Sequence, residues 1–325
     1  MTAPHDTDAG QGSPGRRRPR SRRRRWPRVA LAVLALCLAV LGTDAAVVAG
    51  RIDEVAVELA ADDSDGRTWV LVGLDSRERL PAGADVRDFG TAEDVPGARA
   101  DVVLVVHQTD AGTTVLSVPR DLLVRVDRVP GRLALTWLQG PGTTVEALCG
   151  LGIPADHLIT VDLAGFASVV DAAGGLEVDV PEPVRDEPAG LLVEDAGRQH
   201  VDGATALALV RSRHPEHLVD GAWVPAPVDP DGRATAAAAV LSDLVERVQG
   251  SLVRPWRLQS VAWAASGALA VDPGTSVPDL LSLGRADLGA VQVLPAAEPA
   301  GGILARRPDG GTAAAVAAAG LSCDG

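Results

Sequence analysis

Arg99-Ala-Asp-Val-Val-Leu-Val-Val-His-Gln-Thr-Asp-Ala-Gly-Thr-Thr-Val-Leu-Ser-Val-Pro-Arg-Asp121 holds two short apolar runs, Val102–Val106 and Thr114–Val118, on either side of a turn. Both runs are rich in β-branched residues and almost free of polar interruption, the pattern of strands buried on both faces. Asp110-Ala-Gly112 supplies the turn chemistry, so the runs fold back on each other as a hairpin. Asp101 opens the first strand and Arg120 follows the second, nine and ten residues from Asp110, so pairing brings them to one end of the hairpin.

Upstream, Trp69-Val-Leu-Val72 ends at Gly73 and reads as another buried strand. If it runs parallel to Thr114–Val118, Asp75 joins the end that holds Asp101 and Arg120. Downstream, Thr143-x-x-Glu146 has the form of a capping box opening a short helix. Asp162 caps a second helix, with Leu163, Phe166, Ala167 and Val170 on one face and Gly174-Gly175 at its end. A third is expected over Ala234–Gln249, striped by Val240, Leu241, Leu244, Val245 and Val248 and closed by Gly250. Strands alternating with helices indicate an α/β layered fold. Ser76–Ala98 and His214–Gly232 are rich in Gly, Pro and Asp and read as long loops, which in compact domains are functional or disordered.

Composition narrows the class. The chain has 325 residues, 46% of them hydrophobic, which excludes a disordered or collagen-like polymer, and three cysteines exclude a disulfide-built miniprotein. Aromatics are 2% of residues, too few for a platform of rings stacked on nucleic acid. The net charge of −13 is uneven: residues 1–28 carry nine arginines against Asp6 and Asp8, leaving −20 for the rest. A phosphate bound by that acidic remainder must be met by a local group of arginines.

The arginine-rich segment Arg16–Arg28 abuts an apolar run, Val29–Gly42, extended past Asp44 by Ala45–Gly50. About 21 apolar residues suffice for a bilayer-spanning helix, and the arginine flank orients it with the N-terminus in the cytoplasm. The alternatives are a nucleic-acid-binding tail, or an export signal cleaved near Ala45 or Ala49, with Ser21-Arg-Arg23 faintly suggesting twin-arginine export. Residues 1–28 are thus expected as a cytoplasmic tail, 29–50 as an anchor, 51–66 as an acidic stalk and 67–325 as the extracytoplasmic domain. Cys37 falls in the anchor. Cys149 and Cys323 form an even pair outside, which suggests a disulfide, the alternative being two separate thiols.

Four charged clusters are expected at the ends of apolar strands: Asp75-Ser-Arg77, Arg99-Ala-Asp101, Arg120-Asp121 and Arg211-Ser-Arg213. Members spaced by two point to the same side of an extended chain. Guanidiniums bind phosphate oxygens bidentately, and carboxylates beside them could hold a magnesium ion that bridges to the phosphate. Structural ion pairs at a wet sheet edge would leave the same pattern. His214-x-x-His217 has metal-compatible spacing but also reads as a solvated loop pair. Ser76 and Ser212 have no histidine near in sequence to activate them.

In order and spacing, Gly73-Leu-Asp75-Ser-Arg77, Arg99-Ala-Asp101, Val118-Pro-Arg-Asp121, Val161–Gly175, and Gly197–Gly203 leading to Ala206–Arg213 resemble the motifs of the LytR-CpsA-Psr family, over about residues 68 to 250. The resemblance implies an α-β-α sandwich with a central mixed β-sheet, preceded by one transmembrane helix. It also implies a cell-wall phosphotransferase that moves an anionic glycopolymer from an undecaprenyl-diphosphate carrier to a peptidoglycan hydroxyl. On that likeness Asp75 and Asp101 hold Mg²⁺, while Arg77, Arg99, Arg120, Arg211, Arg213 and Arg233 serve the diphosphate. Asp121 is a candidate base or an orienting partner of Arg120. The partners are then the lipid-linked polymer, peptidoglycan and the membrane, and no nucleic acid.

The chain departs from the family in two places. The Arg-Gln pair usual after the arginine at 233 is replaced within Thr235-Ala-Ala237, and Ala134 stands where Asn is usual. Loss of polar contacts leaves two rivals to transfer: a polyprenyl-diphosphate hydrolase, and a catalytically impaired envelope scaffold that binds lipid carriers. A transcriptional attenuator is disfavoured, because the site and DNA would lie on opposite sides of the membrane.

Overall fold

The computed structural model describes residues 26–59, 66–81, 90–126, 128–227, 232–251, 253–299 and 305–323. The chain divides into two units, Met1–Val47 and Val48–Gly325. Residues 1–25 of the N-terminal tail and Asp231 lie outside the described residues, as do residues 82–89 of the loop expected over Ser76–Ala98.

Helix α1 (Trp26–Ala49), which ends two residues past the first unit, has 24 residues without a buried side chain, and its most apolar 18-residue stretch has a mean hydropathy of 2.4. At 1.5 Å per residue such a helix is about 36 Å long, enough for a hydrocarbon core of about 30 Å. Among the described residues it is the one helix long and apolar enough to cross a membrane.

The strands of the second unit are β1 (Asp53–Glu54), β2 (Arg67–Leu74), β3 (Ala100–Thr109), β4 (Gly112–Val118), β5 (Leu123–Val126), β6 (Val129–Arg132), β7 (His157–Asp162), β8 (Leu176–Val180), β9 (Val184–Asp186), β10 (Leu191–Val193), β11 (Gly197–Val201), β12 (Glu216–Val219), β13 (Ala222–Pro225), β14 (Leu269–Val271) and β15 (Val291–Val293). Its helices are α2 (Leu133–Thr136), α3 (Pro141–Cys149), α4 (Leu163–Ala172), α5 (Gly203–Arg211), α6 (Gly232–Ser251), α7 (Pro255–Ser266), α8 (Val277–Arg285) and α9 (Gly310–Ala318).

Seven strands form the central sheet in the order β1-β14-β7-β2-β3-β4-β15. β3 is antiparallel to both β2 and β4, so those two run the same way, and β2 is parallel to β7. Side chains alternate between faces. Val70, Val72, Val103, Val105, Leu116 and Val118 pack with Leu148 of α3 and Val316 of α9. Trp69, Val106, Val115 and Ile159 pack on the other side with Leu280 and Leu283 of α8. Helices therefore cover both faces of a mixed sheet, which makes an α-β-α sandwich. A separate apolar cluster joins β8–β11 to Val170 of α4, Ala206 of α5 and Val240 of α6.

Several sequence expectations need correction. The supposed stalk joins the folded unit as far as it is described: β1 pairs with β14, and Val55, Val57 and Leu59 pack on the core. Their three apolar side chains outweigh the acidic composition that suggested solvent. Helix α3 starts at Pro141 after Gly140 (φ 122°), so Thr143 is inside it rather than a cap. Gly250 lies within α6 and does not close it. His214–Gly232 is not wholly loop, because β12 and β13 make a hairpin turning at Asp220-Gly221, both at positive φ. Arg211 ends a helix rather than a strand, since Asp202 caps Ala206–Arg211 into helical geometry by accepting from Thr205 N. The Asp162 cap is present, accepting from Gly165 N, and Cys149 is bridged to Cys323 with Cα atoms 5.3 Å apart.

Candidate active site

Asp75 follows β2 directly, past a bulge at Gly73/Leu74 that re-aims the chain. Its N–H donates to the Arg99 carbonyl at 2.9 Å, which ties the end of β2 to the start of β3. Pro119 ends the β4 ladder, because it has no N–H to donate, and the turn Pro119–Leu122 presents Arg120 and Asp121. The hairpin register then does what the turn count implied: Arg120 pairs with Asp101 across the sheet end.

Arg77 holds Asp75 in a two-pronged bond, Nε at 3.2 Å and Nη2 at 2.9 Å. Arg213 reaches Asp101 at 3.4 Å. Burial pushes the Asp75 carboxyl up, but the Arg77 hydrogen bond and the charges of Arg77, Arg211 and Arg213 outweigh it and hold the group below the usual aspartate range. Burial draws the Arg211 guanidinium down while Asp75 and Asp101 draw it back. Four arginines thus surround two aspartates. Asp121 accepts from Arg132 at 3.3 Å and lies 3.6 Å from Arg120, a position that suits orienting the guanidinium. Arg99 meets the group through its carbonyl, and its Nη1 is buried without a hydrogen bond. Arg233 is in the first turn of α6, and its side chain lies outside the described residues.

One residue of the site escaped the sequence reading. Asp186, at the end of β9, is buried and accepts from the Ser212 hydroxyl (2.8 Å), Arg213 N (2.6 Å) and His214 N (2.8 Å). It clasps the chain where α5 ends and thereby places Arg211 and Arg213. The Ser212 hydroxyl is engaged in this clasp, and His217 lies 3.6 Å from Glu182. An open cleft of about 340 Å³ beside the rim is lined by Leu74, Ser76, Arg79, Asp162 and Ala268–Ala270 and by none of the four arginines.

Among the described residues no group of three or more His, Cys, Asp or Glu could hold a metal. Asp75 and Asp101 stand as two carboxylates at one sheet end, each paired with an arginine, and Mg²⁺ takes one or two carboxylates plus phosphate oxygens and water rather than an all-protein cage.

Residues 43–286 match the LytR_cpsA_psr family. The chain is 37% identical over 169 residues to the Probable cell wall biosynthesis protein LcpB of Corynebacterium glutamicum, covering 50% of this chain and 40% of that protein. It is 26% identical over 216 residues to the polyisoprenyl-teichoic acid–peptidoglycan teichoic acid transferase TagT of Bacillus subtilis, covering 61% of this chain and 66% of TagT. The chain thus spans only part of both curated relatives. Among solved structures, the LytR-Csp2A-Psr enzyme from Actinomyces oris superposes with a TM-score of 0.71 at 35% identity, over 84% of this chain and 97% of that one.

Proposed function

The chain belongs to the LytR-CpsA-Psr family, and from that premise we propose that it transfers an anionic glycopolymer from an undecaprenyl-diphosphate carrier to a peptidoglycan hydroxyl outside the cytoplasmic membrane. The observation that carries this reading is the rim of Arg77, Arg120, Arg211 and Arg213 around Asp75 and Asp101. A diphosphate is the ligand whose charge answers such an array, and phosphoryl transfer is mostly positioning and charge neutralisation.

The guanidiniums bind and orient the diphosphate. The acceptor oxygen attacks the phosphorus on the polymer side, the bond to the lipid phosphate breaks, polyprenyl phosphate leaves and the hydroxyl proton is released. Asp121, 3.6 Å from Arg120, is the candidate to orient that guanidinium or to take that proton. Asp75 and Asp101 would hold Mg²⁺, which when bound neutralises phosphate charge.

A binding-only role is favoured by a specific observation: Ala134 and Ala237, where the family resemblance implies polar groups, are buried and bring no polar side chain to the site. Incubating full-length protein with a lipid-diphosphate glycan, peptidoglycan fragments and Mg²⁺ separates these readings by product mass. A polymer–phosphate–peptidoglycan adduct supports transfer, free polymer phosphate means hydrolysis, and unchanged substrate that co-purifies with the protein means binding alone.

A further inference from the structure

Helix α7 turns Val261 and Ser266 inward and leaves Trp256, Gln259, Ser260 and Trp263 outward. Trp256 and Trp263, two turns apart, share that outer face. Trp256 is 72% exposed and Trp263 46%, and Val253 just before the helix is 82% exposed. Large exposed apolar groups set together mark an interaction surface.

Two observations identify what covers it. Arg51 lies over the Trp263 ring, 3.9 Å from its centroid, and donates to the Ser266 hydroxyl at 3.2 Å. Arg51 is two residues beyond the end of α1, within about 7 Å of that end along an extended chain. Trp263 is therefore held close to the point where the apolar helix stops. The second observation is charge. Residues 253–266 carry Arg254 and Arg257 and no acid, in a chain whose residues beyond 28 sum to −20. Tryptophan prefers the headgroup level of a bilayer, and arginine beside it favours anionic lipid.

We propose that α7 is a membrane-docking helix: its Trp256–Trp263 face rests in the outer leaflet of the bilayer that holds α1. This goes beyond the transferase reading and rests on its membrane-anchor component. Docking would hold the arginine rim at a set height over the surface that presents the lipid diphosphate.

The test uses full-length protein in phosphatidylcholine/phosphatidylglycerol vesicles with brominated acyl chains, which quench nearby indoles. Trp26→Phe removes the tryptophan of α1, so remaining quenching must come from the folded unit. The expected result is clear quenching in Trp26→Phe that disappears in Trp26→Phe/Trp256→Phe/Trp263→Phe. Equal quenching in the two variants, with wild-type protein retained in the membrane pellet after a carbonate wash, overturns the docking helix and leaves the anchor standing. Loss of wild-type protein from that pellet overturns the anchor, and the docking helix with it.

Discussion

At Asp75, burial and charge act in opposite directions and the guanidiniums prevail. Asp75→Asn keeps the shape and removes the charge, so transfer and its dependence on Mg²⁺ are expected to fall together, transfer by roughly 100-fold. Arg120→Lys is expected to fail comparably, because an ammonium cannot reproduce the planar fork. Wild-type turnover surviving in both variants, measured by adduct formation, would refute the site. Asp186 acts at one remove. Burial pushes its carboxyl up, yet the His214 N–H, the Ser212 hydroxyl and the Arg213 N–H hold it below the ordinary range. A depressed folded value stabilises the protein above the unfolded aspartate pKa of about 3.9, and that contribution is lost as pH falls through the lower folded value. Asp186→Asn should therefore cost about 1–3 kcal/mol at pH 7, as read from denaturant midpoints. The gap to wild type should narrow below about pH 4. The variant should also weaken diphosphate binding through Arg213, and a stability loss with unchanged affinity would confine Asp186 to the fold. Asp101 and Arg120 were legible because strand period and turn count suffice to bring them together, whereas Asp75 joined them only on the condition that β2 runs the same way as β4, which the pairing of both with β3 meets. Asp186 was not legible, since its partners are 26 and more residues away and nothing in Arg185-Asp-Glu187 announces them.

Between elements, one close approach and one covalent tie govern how the arginines are held. Gly203 opens α5 against the Ala167 backbone of α4, where a Cβ would collide with the Ala167 carbonyl. Gly203→Ala must push the helices apart, at about 1–3 kcal/mol. Because α5 ends in Arg211, diphosphate affinity should drop as well, and calorimetry of diphosphate binding checks this. The Cys149–Cys323 bridge joins α3 to the chain beyond α9 across 174 residues. Replacing both cysteines by serine is expected to cost about 2–5 kcal/mol, and reducing agent should lower the wild-type melting temperature but not that of the variant. The helix of Arg211 and the β12–β13 hairpin were misread for a common reason. Short segments satisfy extended, looped or helical patterns about equally, and a cap such as Asp202 or a turn pair such as Asp220-Gly221 settles the matter.

For the molecule as a whole, we propose that the folded unit lies outside the cytoplasm, a reading that the disulfide and the arginine flank of α1 both support. Protease added to intact, wall-stripped cells should digest that unit and spare an epitope at residue 1, whereas loss of the epitope would reverse the orientation. The chain's local patterns were enough for the α/β class, the membrane-length helix, the β3–β4 hairpin and the meeting of Asp101 with Arg120. Each depends on a period or a turn contained in a few tens of residues. Packing settled the rest: β1 and β14 at one edge, β15 at the other, Val55, Val57 and Leu59 packed against the core rather than in a stalk, and the Asp186 clasp. These join segments far apart in the chain, from 26 residues for the clasp to more than 200 for β1 with β14, and no local period encodes such a choice. It is made by which apolar faces remain to be covered, and which buried polar groups remain to be paired, once the hairpin has formed.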